Sequence, residues 1–530
     1  MKLHEELMRR LLPRPKADRR RSRSFALVLA VVSTMVTIAA CGTGGAGGGD
    51  RETLTIAIGA EALPNPALAT TKSAWSAVSY NLVYEPLIRQ LPNGSLRPAL
   101  AAAWEYVDGA VPNTVFQMTL RDGAKFADGS AVTPQAVAKW LQYFVRQTGP
   151  LAGVLGANPT FQVVGSNKVQ IRMTSPNPSL PVILSDGGGN IGHVVSPAGI
   201  DNPDSLATDA HGAGPYVLDS AGSVRGDHYS YKPNPNYFDQ NAIKFRKVEV
   251  KVIQDASARL AAQQSGQVDV AIGDSSTAEP AQQAGLGVIT APRGVIEIVL
   301  DSKNGLAPEL ADKRVREAIN HAIDRKSIAQ ALLGKAGIPA SAFLPTDVTT
   351  GMDAFWTYDP AKAKSLLVDA GYPNGFEMKA LVQGPYFGPL GEPLMRAVAQ
   401  NLAAVGIKLN ITSYATDPEY AKDVFGKKAP VFTLTGLIAD TPTLYNTYMA
   451  PKARVNFFGD DEVLTREFDA GARSQDPTAH WTTMWRLFTS QAYVAPVLVN
   501  PNFFYVSEHI AGAEATAKRP VALPTEWSRK

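Results

Sequence analysis

A single cysteine, Cys41, occurs in this chain of 530 residues. A lone thiol cannot form a disulfide, a CxxC redox pair or a cysteine-based zinc site within one copy of the chain. Hydrophobic residues make up 45% of the sequence and charged residues 19%, which is typical of an ordinary globular protein. The fold must therefore be held by large hydrophobic cores, and the length predicts more than one compact lobe.

The sequence before Cys41 is typical of an export signal. A basic stretch ends at Arg23, and the apolar run 25–40 is short for a membrane-spanning helix, which needs roughly 20 residues. Small residues before the cysteine resemble the lipobox of bacterial lipoproteins, in which the thiol receives a diacylglycerol. We therefore expect an exported protein, anchored to the outer face of the cell membrane by a lipid on Cys41. The alternative is a short transmembrane anchor followed by an incidental buried cysteine.

The charge distribution argues against nucleic-acid binding. Residues 1–40 carry nine Lys or Arg and three acids, so the overall charge of +3 leaves −3 for residues 41–530. A faintly acidic body lacks the clustered Lys and Arg that neutralise phosphates. We expect no nucleic-acid partner.

Two glycine-rich stretches match the GxGxxG pattern. Gly42–Gly47 lies in the glycine-rich stretch 42–49, which predicts a flexible tether because glycine packs poorly. Gly187–Gly192 follows a strand-like run, but Pro197 and the irregular residues around it argue against the required helix. Both stretches are predicted to be loops, the second one a candidate for lining a cleft.

The sequence pattern after the tether predicts an α/β fold with two β-α-β units. The first has a strand at 247–253, a helix capped by Asp255 and a strand at 268–272; the second has strands at 377–382 and 408–413 around a helix at 393–405. Strand alternation, helical spacing of apolar residues and glycine stops support each element.

Several motifs, in one order along some 400 residues, resemble extracellular solute-binding proteins, family 5, of peptide and nickel importers. They are NLVYEPLI at 81–88, LRDGAKFADGS at 120–130, GAGPY at 212–216, NPNYF at 234–238, the stretch 313–331 and YDPAKAKSLLVDAGYPNG at 358–375. In physical terms, these motifs contain residues that turns and helix starts require, so they indicate the fold rather than a ligand. We expect positive φ angles at Gly123, Gly129 and Gly214, and a helix start at Pro134.

The resemblance implies a two-lobed periplasmic-binding-protein-like fold, type II, cluster C, with an extra small domain inserted in lobe one. Two crossing strands would join the lobes, and the ligand would lie between them. The implied organisation is a signal peptide at 1–40, a tether at 41–50, lobe one at 51–88, 193–295 and 495–530, the inserted domain at 89–192, and lobe two at 296–494.

Catalytic and metal-binding motifs do not emerge from the sequence. It contains no GxSxG elbow, no HExxH motif and no Walker lysine loop, and its seven histidines are scattered without ligand spacing. We expect no catalytic residue, no metal and no cofactor. A hydrolase remains a rival hypothesis, which a converging Ser, His and carboxylate would support.

One motif points to a ligand-binding carboxylate. In peptide-binding members of the family, a motif resembling GWxADYxxP follows a buried strand, and its aspartate pairs with the α-ammonium of the peptide. The corresponding stretch here is Leu434–Pro442, LTGLIADTP, so the resemblance assigns this role to Asp440. A carboxylate gives an ammonium a charge-assisted hydrogen bond worth about 1.5–3 kcal/mol. The alternative makes Asp440 a turn or helix-cap residue.

Neighbouring residues complete the predicted site. Gly436 and Ile438, with Leu437 between them, would offer main-chain hydrogen bonds to a peptide, and Tyr420 would supply an aromatic wall. Leu437 and Thr441 replace the Trp and Tyr of the motif, which removes aromatic surface.

The predicted function is the substrate-binding lipoprotein of an ABC importer, which captures oligopeptides or dipeptides and delivers them to a permease. Its partners would be the solute and the permease and ATPase subunits, and we expect a monomer. Alternatives are a non-peptide solute, such as a metal chelate, haem or a sugar, or a role as an envelope sensor or scaffold.

Overall fold

The computed structural model describes residues 52–60, 74–107, 109–147, 152–209, 211–352, 354–383, 390–451, 453 and 456–530. The strands are β1 Thr53–Ile58, β2 Ile88–Gln90, β3 Leu96–Pro98, β4 Ala101–Tyr106, β5 Val115–Leu120, β6 Thr160–Val164, β7 Lys168–Arg172, β8 Tyr216–Val224, β9 His228–Pro233, β10 Lys247–Val252, β11 Val270–Gly273, β12 Gly287–Leu300, β13 Phe376–Gln383, β14 Ile407–Tyr414, β15 Val431–Leu437, β16 Val494–Val506, β17 Ile510–Ala511 and β18 Ser528–Arg529. The helices are α1 Ala74–Val83, α2 Pro134–Val145, α3 Leu180–Ile183, α4 Pro197–Asp201, α5 Ala256–Gln264, α6 Ala278–Gln283, α7 Lys313–Ala322, α8 Arg325–Leu333, α9 Pro360–Asp369, α10 Gly391–Ala403, α11 Asp417–Phe425, α12 Thr441–Leu444, α13 Glu462–Arg473 and α14 Thr478–Ser490.

One ten-stranded sheet runs through the body in the order β14-β13-β15-β12-β16-β11-β1-β10-β9-β8. Its first half, β11 to β8, contains β1 in parallel pairing with both β10 and β11. Its second half, β14 to β15, has β13 parallel to both neighbours. Such parallel pairs need long crossover connections, which α5 and α10 provide.

The two halves are joined by β12 and β16, the longest strands of the sheet. They pair with each other in antiparallel fashion from Gly287 to Val299, so each strand belongs to both halves. Their register shifts between Pro292 and Gly294 and again between Ile296 and Glu297. Register shifts of this kind bend a strand and increase its twist. The two halves are therefore connected by a strand pair whose register is interrupted twice.

A separate four-stranded antiparallel sheet has the strand order β4-β5-β7-β6, and we call it the small sheet. It packs with α2, which begins at Pro134 after the cap residue Thr133, as predicted. The buried Trp140 on this helix donates from Nε1 to the carbonyl oxygen of Ile191, at 2.8 Å. This hydrogen bond ties the small sheet to the segment after α3.

Four helices begin after a capping aspartate, including the helix predicted after Asp255. Asp255, Asp312, Asp324 and Asp359 each cap a helix by accepting a hydrogen bond from a main-chain N–H in its first turn. Each cap satisfies one of the donors that a helix leaves free at its start. The two predicted β-α-β units are therefore present.

The glycine predictions were correct at two positions and wrong at a third. Gly123 and Gly129 have φ angles of 73° and 86°. Gly214 is not among the described residues with positive φ. Its constraint is close packing instead, because a β-carbon there would lie 2.6 Å from the carbonyl carbon of Val83.

The glycines of 187–192 also pack tightly. A β-carbon on Gly188 would lie 2.0 Å from the carbonyl oxygen of Val182, and one on Gly192 would lie 2.3 Å from that of Leu184. This stretch is therefore packed against the chain around α3. Pro197, which was expected to prevent a helix nearby, instead begins the short helix α4.

Candidate functional site

Asp440 lies three residues after the end of β15 and caps α12. It is 3% exposed, and its Oδ1 accepts a hydrogen bond from the N–H of Thr443 at 3.0 Å. Its Oδ2 accepts a second bond from the Thr443 hydroxyl at 2.9 Å. The structure thus gives Asp440 the helix-cap role, while its ligand role stays a prediction. Burial raises the pKa of this carboxyl above its usual range.

A second carboxylate, Asp347, approaches the same helix start. Its two oxygens accept hydrogen bonds from the N–H and the hydroxyl of Thr441, each at 2.8 Å. Trp485 donates from Nε1 to the same hydroxyl at 3.0 Å. Burial of the carboxyl and the nearby Asp440 raise the pKa of Asp347 to about 7, although other parts of the residue are exposed. The two carboxyls therefore form an electrostatically coupled pair.

Residues in and near the small sheet also interact with Asp440. Ser179, which precedes α3, hydrogen-bonds to Asp440 and lowers its pKa against the effect of burial. Tyr106, at the end of β4, has a pKa raised by burial and, to a smaller extent, by the charge on Asp440. The Tyr106 hydroxyl donates to the carbonyl oxygen of Asn177 at 2.5 Å. Asp440 is thus the meeting point of the second half of the main sheet and the small sheet.

A further contact links the small sheet to α13. The side-chain amide of Asn113 donates to the carbonyl oxygens of Ala472 and Ser474, at 3.0 and 3.2 Å. Asn113 precedes β5 and has a φ angle of 56°.

The remaining predicted site residues have unequal surroundings. Gly436 is buried in β15 opposite Val295, Leu437 ends that strand opposite Gly294, and Ile438 follows it half-buried. Tyr420 is 4% exposed and donates its hydroxyl to the carbonyl oxygen of Thr433. The structure therefore places Tyr420 in a core beside β15, where it supports the strand.

Glu297 is a carboxyl that the sequence analysis missed. It lies on β12 opposite Leu434, is completely buried, and has no hydrogen-bond partner for either oxygen among the described residues. Burial alone raises its pKa well above the usual range. A β-carbon on Gly436 would lie 3.3 Å from both of its oxygens and 2.9 Å from the ring of Phe343. The carboxyl thus lies beside the predicted ligand-binding segment.

Several of the family-like motif residues meet elsewhere, in a pocket of about 460 Å³ beside the first half of the sheet. The buried Glu85 accepts two hydrogen bonds from Arg89, at 2.9 and 3.0 Å, and one from the hydroxyl of Tyr237, at 3.1 Å. The guanidinium of Arg121 lies over the ring of Phe238, 4.6 Å from its centroid. These motif residues satisfy one another, so their structural role is sufficient to explain them.

The described residues contain no group of three or more His, Cys, Asp or Glu side chains with the geometry to hold a metal ion. Within the same ranges, no helix has the length and apolar character needed to cross a membrane. Cys41 and the apolar run before it lie outside the described residues.

Comparison with known proteins decides the family. The model of bacterial extracellular solute-binding proteins, family 5 middle, matches residues 95–456. This chain belongs to that family. The resemblance drawn from the motifs is thereby confirmed.

The proteins similar to this chain are named for different ligands. The nickel-binding periplasmic protein of Escherichia coli (strain K12) is 23% identical over 444 residues, which cover 78% of this chain and 82% of that protein. The glutathione-binding protein of Salmonella typhi is 26% identical over 341 residues, 63% of this chain and 64% of the relative's length. The solved Escherichia coli murein tripeptide binding protein has a TM-score of 0.73 and 20% identity, covering 91% of this chain and 99% of that chain.

The structural likeness confirms the predicted two-lobed family 5 fold. The strands β12 and β16 join the two halves of the main sheet, as expected of strands that cross between two lobes. The domain limits given by the sequence stay predictions. Glu297 and Asp347 were missed because one lies in an apolar strand and the other in an irregular loop, where no periodic pattern marks a single acid.

Proposed function

We propose that this chain captures peptides between its lobes and delivers them to the permease of an ABC importer, as a lipoprotein held at the membrane through Cys41. Family 5 membership supports the solute-binding role. The relatives whose names mention glutathione and a murein tripeptide favour a peptide-like ligand. Asp440 is the residue that we assign to the peptide amino terminus.

One observation carries the peptide assignment, and it is the coupled pair Asp347 and Asp440. The negative charge of Asp440 disfavours a second negative charge on Asp347. An ammonium group placed between them would offset both burial and repulsion, and every peptide with a free amino terminus brings one. Main-chain groups near Gly436 and Ile438 would then bind the peptide backbone independently of its sequence.

Capture requires no covalent chemistry. Ligand that contacts both lobes stabilises the closed arrangement by its differential affinity for that state, and a permease can distinguish the closed from the open shape. The energy for transport would come from an ATPase on a separate chain. We therefore assign no catalytic residue and propose that the protein is not an enzyme.

The test compares free and blocked peptides. Mass spectrometry of solutes that co-purify with the protein identifies the ligand class, and calorimetry with trialanine and N-acetyl-trialanine measures the affinities. Asp440→Asn should weaken trialanine binding about tenfold or more, because it removes a charge-assisted bond, while changing the weaker binding of the acetylated peptide little. Asparagine also caps helices well, so α12 should remain intact.

Thr443→Val is the matched control, since it removes the hydroxyl that donates to Asp440 but leaves the carboxylate in place. It should keep the preference for trialanine over the acetylated peptide. Equal losses for both peptides in Asp440→Asn would remove the assigned role. A wild-type protein that binds neither peptide, and that co-purifies with a metal chelate, haem or sugar, would contradict the peptide proposal.

A further inference from the structure

The completely buried Glu297 presents an energetic problem. A carboxyl group removed from water without hydrogen-bond partners costs free energy, and folded proteins rarely leave such groups unpaired. Both oxygens of Glu297 lack a partner among the described residues. An uncompensated polar group of this kind is expected where function requires it.

The carboxyl occupies a particular place on the crossing strand. Its neighbours across the sheet are Leu434 on β15 and Pro496 on β16, and the register of β12 shifts immediately before it. The missing side chain of Gly436 leaves room for both oxygens and for the ring of Phe343. Any larger residue at 436 would compete for this space, so Gly436 couples the buried carboxyl to the segment predicted to bind ligand.

No charged side chain among the described residues pairs with the Glu297 carboxyl. The side chains across the sheet, Leu434 and Pro496, and the ring of Phe343 are apolar. The rings packed on Phe343 are those of Tyr448, Trp485 and Phe488, and the Tyr448 hydroxyl donates to the carbonyl oxygen of Thr435. Burial is the sole cause of the altered pKa of Glu297. The described residues therefore supply no cation to this carboxyl.

We propose that Glu297 binds a second positive group of the captured peptide, the ammonium or guanidinium of a lysine or arginine side chain. The inference rests on the proposed function and narrows it to basic peptides. The methylene stem of such a side chain would pack on the Phe343 ring while its charged end reaches the carboxyl. Because the carboxyl is completely buried and the Phe343 ring packs on Gly436, the incoming side chain would have to displace this ring to reach it.

Binding would exchange a proton for the ligand charge. In the free protein the carboxyl is protonated, because burial disfavours its charged form. An arriving ammonium converts it to the carboxylate, the ion pair forms, and the acidic proton leaves to solvent. The overall step is COOH plus RNH₃⁺ giving COO⁻···RNH₃⁺ plus H⁺, which balances in atoms and charge. Affinity for basic peptides should therefore rise with pH.

The experiment uses the tripeptides Ala-Lys-Ala and Ala-norleucine-Ala, which differ in side-chain charge but share the apolar stem. Calorimetry at pH 6 in two buffers of different ionisation enthalpy gives both the affinity and the protons released. Wild-type protein should prefer the lysine peptide by about tenfold to a hundredfold, the worth of a buried charge-assisted bond, and should release a proton. In Glu297→Gln the preference should fall close to one and the proton release should disappear.

Glu279→Gln, on the exposed start of α6, is the matched control and should keep both signals. Glu297→Leu provides a second variant without a buried polar group, and thermal unfolding establishes that both variants fold. Equal affinity of wild-type protein for the two tripeptides, or equal losses for both in Glu297→Gln, would overturn the inference. Failure to bind trialanine, by contrast, would overturn the proposed function itself, so the two failures are distinguishable.

Discussion

At the residue scale, Thr441 explains how two acids share one helix start. Its N–H and hydroxyl donate to Asp347, its hydroxyl accepts from Trp485, and Asp440 turns to Thr443. The family motif has a tyrosine at this position, so the substitution loses aromatic surface. The shorter hydroxyl side chain instead holds Asp347 beside the predicted site.

The carboxyl pair predicts a pH dependence. Folding raises the pKa of Asp347 from 3.8 to about 7, so in this window the folded protein binds more protons than the unfolded chain. Its contribution to stability is then fully present at low pH and is lost as pH rises toward 7. In ligand-free protein, Asp347→Asn should therefore flatten the fall of the unfolding temperature between pH 4 and 7.

Calorimetric unfolding across this pH range checks the effect. Asp204→Asn, on an exposed residue distant in sequence, serves as control and should leave the wild-type pH profile in place. A profile for Asp347→Asn that matches wild type throughout would show that the pair is not coupled as described.

At the scale of elements, sequence analysis predicted the regular parts and missed the site partners. Aspartate caps, glycine stops and alternating strands are local signals, so α5 begins after its predicted cap, Asp255. The contacts of Asp440 with Asp347 and Ser179 join residues more than ninety positions apart, and no local pattern records them. The position of Asp440 came from the motif, whereas its surroundings required the fold.

The turn before β5 provides a test of lobe closure. Asn113→Gly keeps the positive φ without strain but removes the amide that bonds to Ala472 and Ser474. Loss of these bonds, each worth about 0.5–1.5 kcal/mol, should weaken ligand binding about fivefold or more. Small-angle scattering should show a more open ligand-free molecule.

A second asparagine of the same region gives a matched control. Asn158 has a φ angle of 50° and is exposed, so Asn158→Gly makes the same chemical change away from the contact with α13. Both affinity and scattering should then match wild type. The expected role of Asn113 in lobe closure is wrong if Asn113→Gly behaves like this control.

At the scale of the whole molecule, the predicted lipid anchor sets where the lobes operate. Because Cys41 is the only cysteine, Cys41→Ser should abolish lipid attachment and release the protein from membranes. Metabolic labelling with a radioactive fatty acid, followed by membrane fractionation, measures both effects. Ser33→Ala, in the preceding apolar run, should be labelled like wild type, and equal labelling of Cys41→Ser would disprove the anchor.

The position of β16 in the main sheet has a consequence for biosynthesis. This strand lies between β11 and β12, yet it begins at Val494, close to the end of the chain. Until it emerges from the ribosome, both neighbours keep an open edge, and neither lobe can complete its sheet. Pairings between residues so far apart in sequence also form slowly. A nascent chain can therefore complete neither half of the main sheet until residues 494–506 have been synthesised.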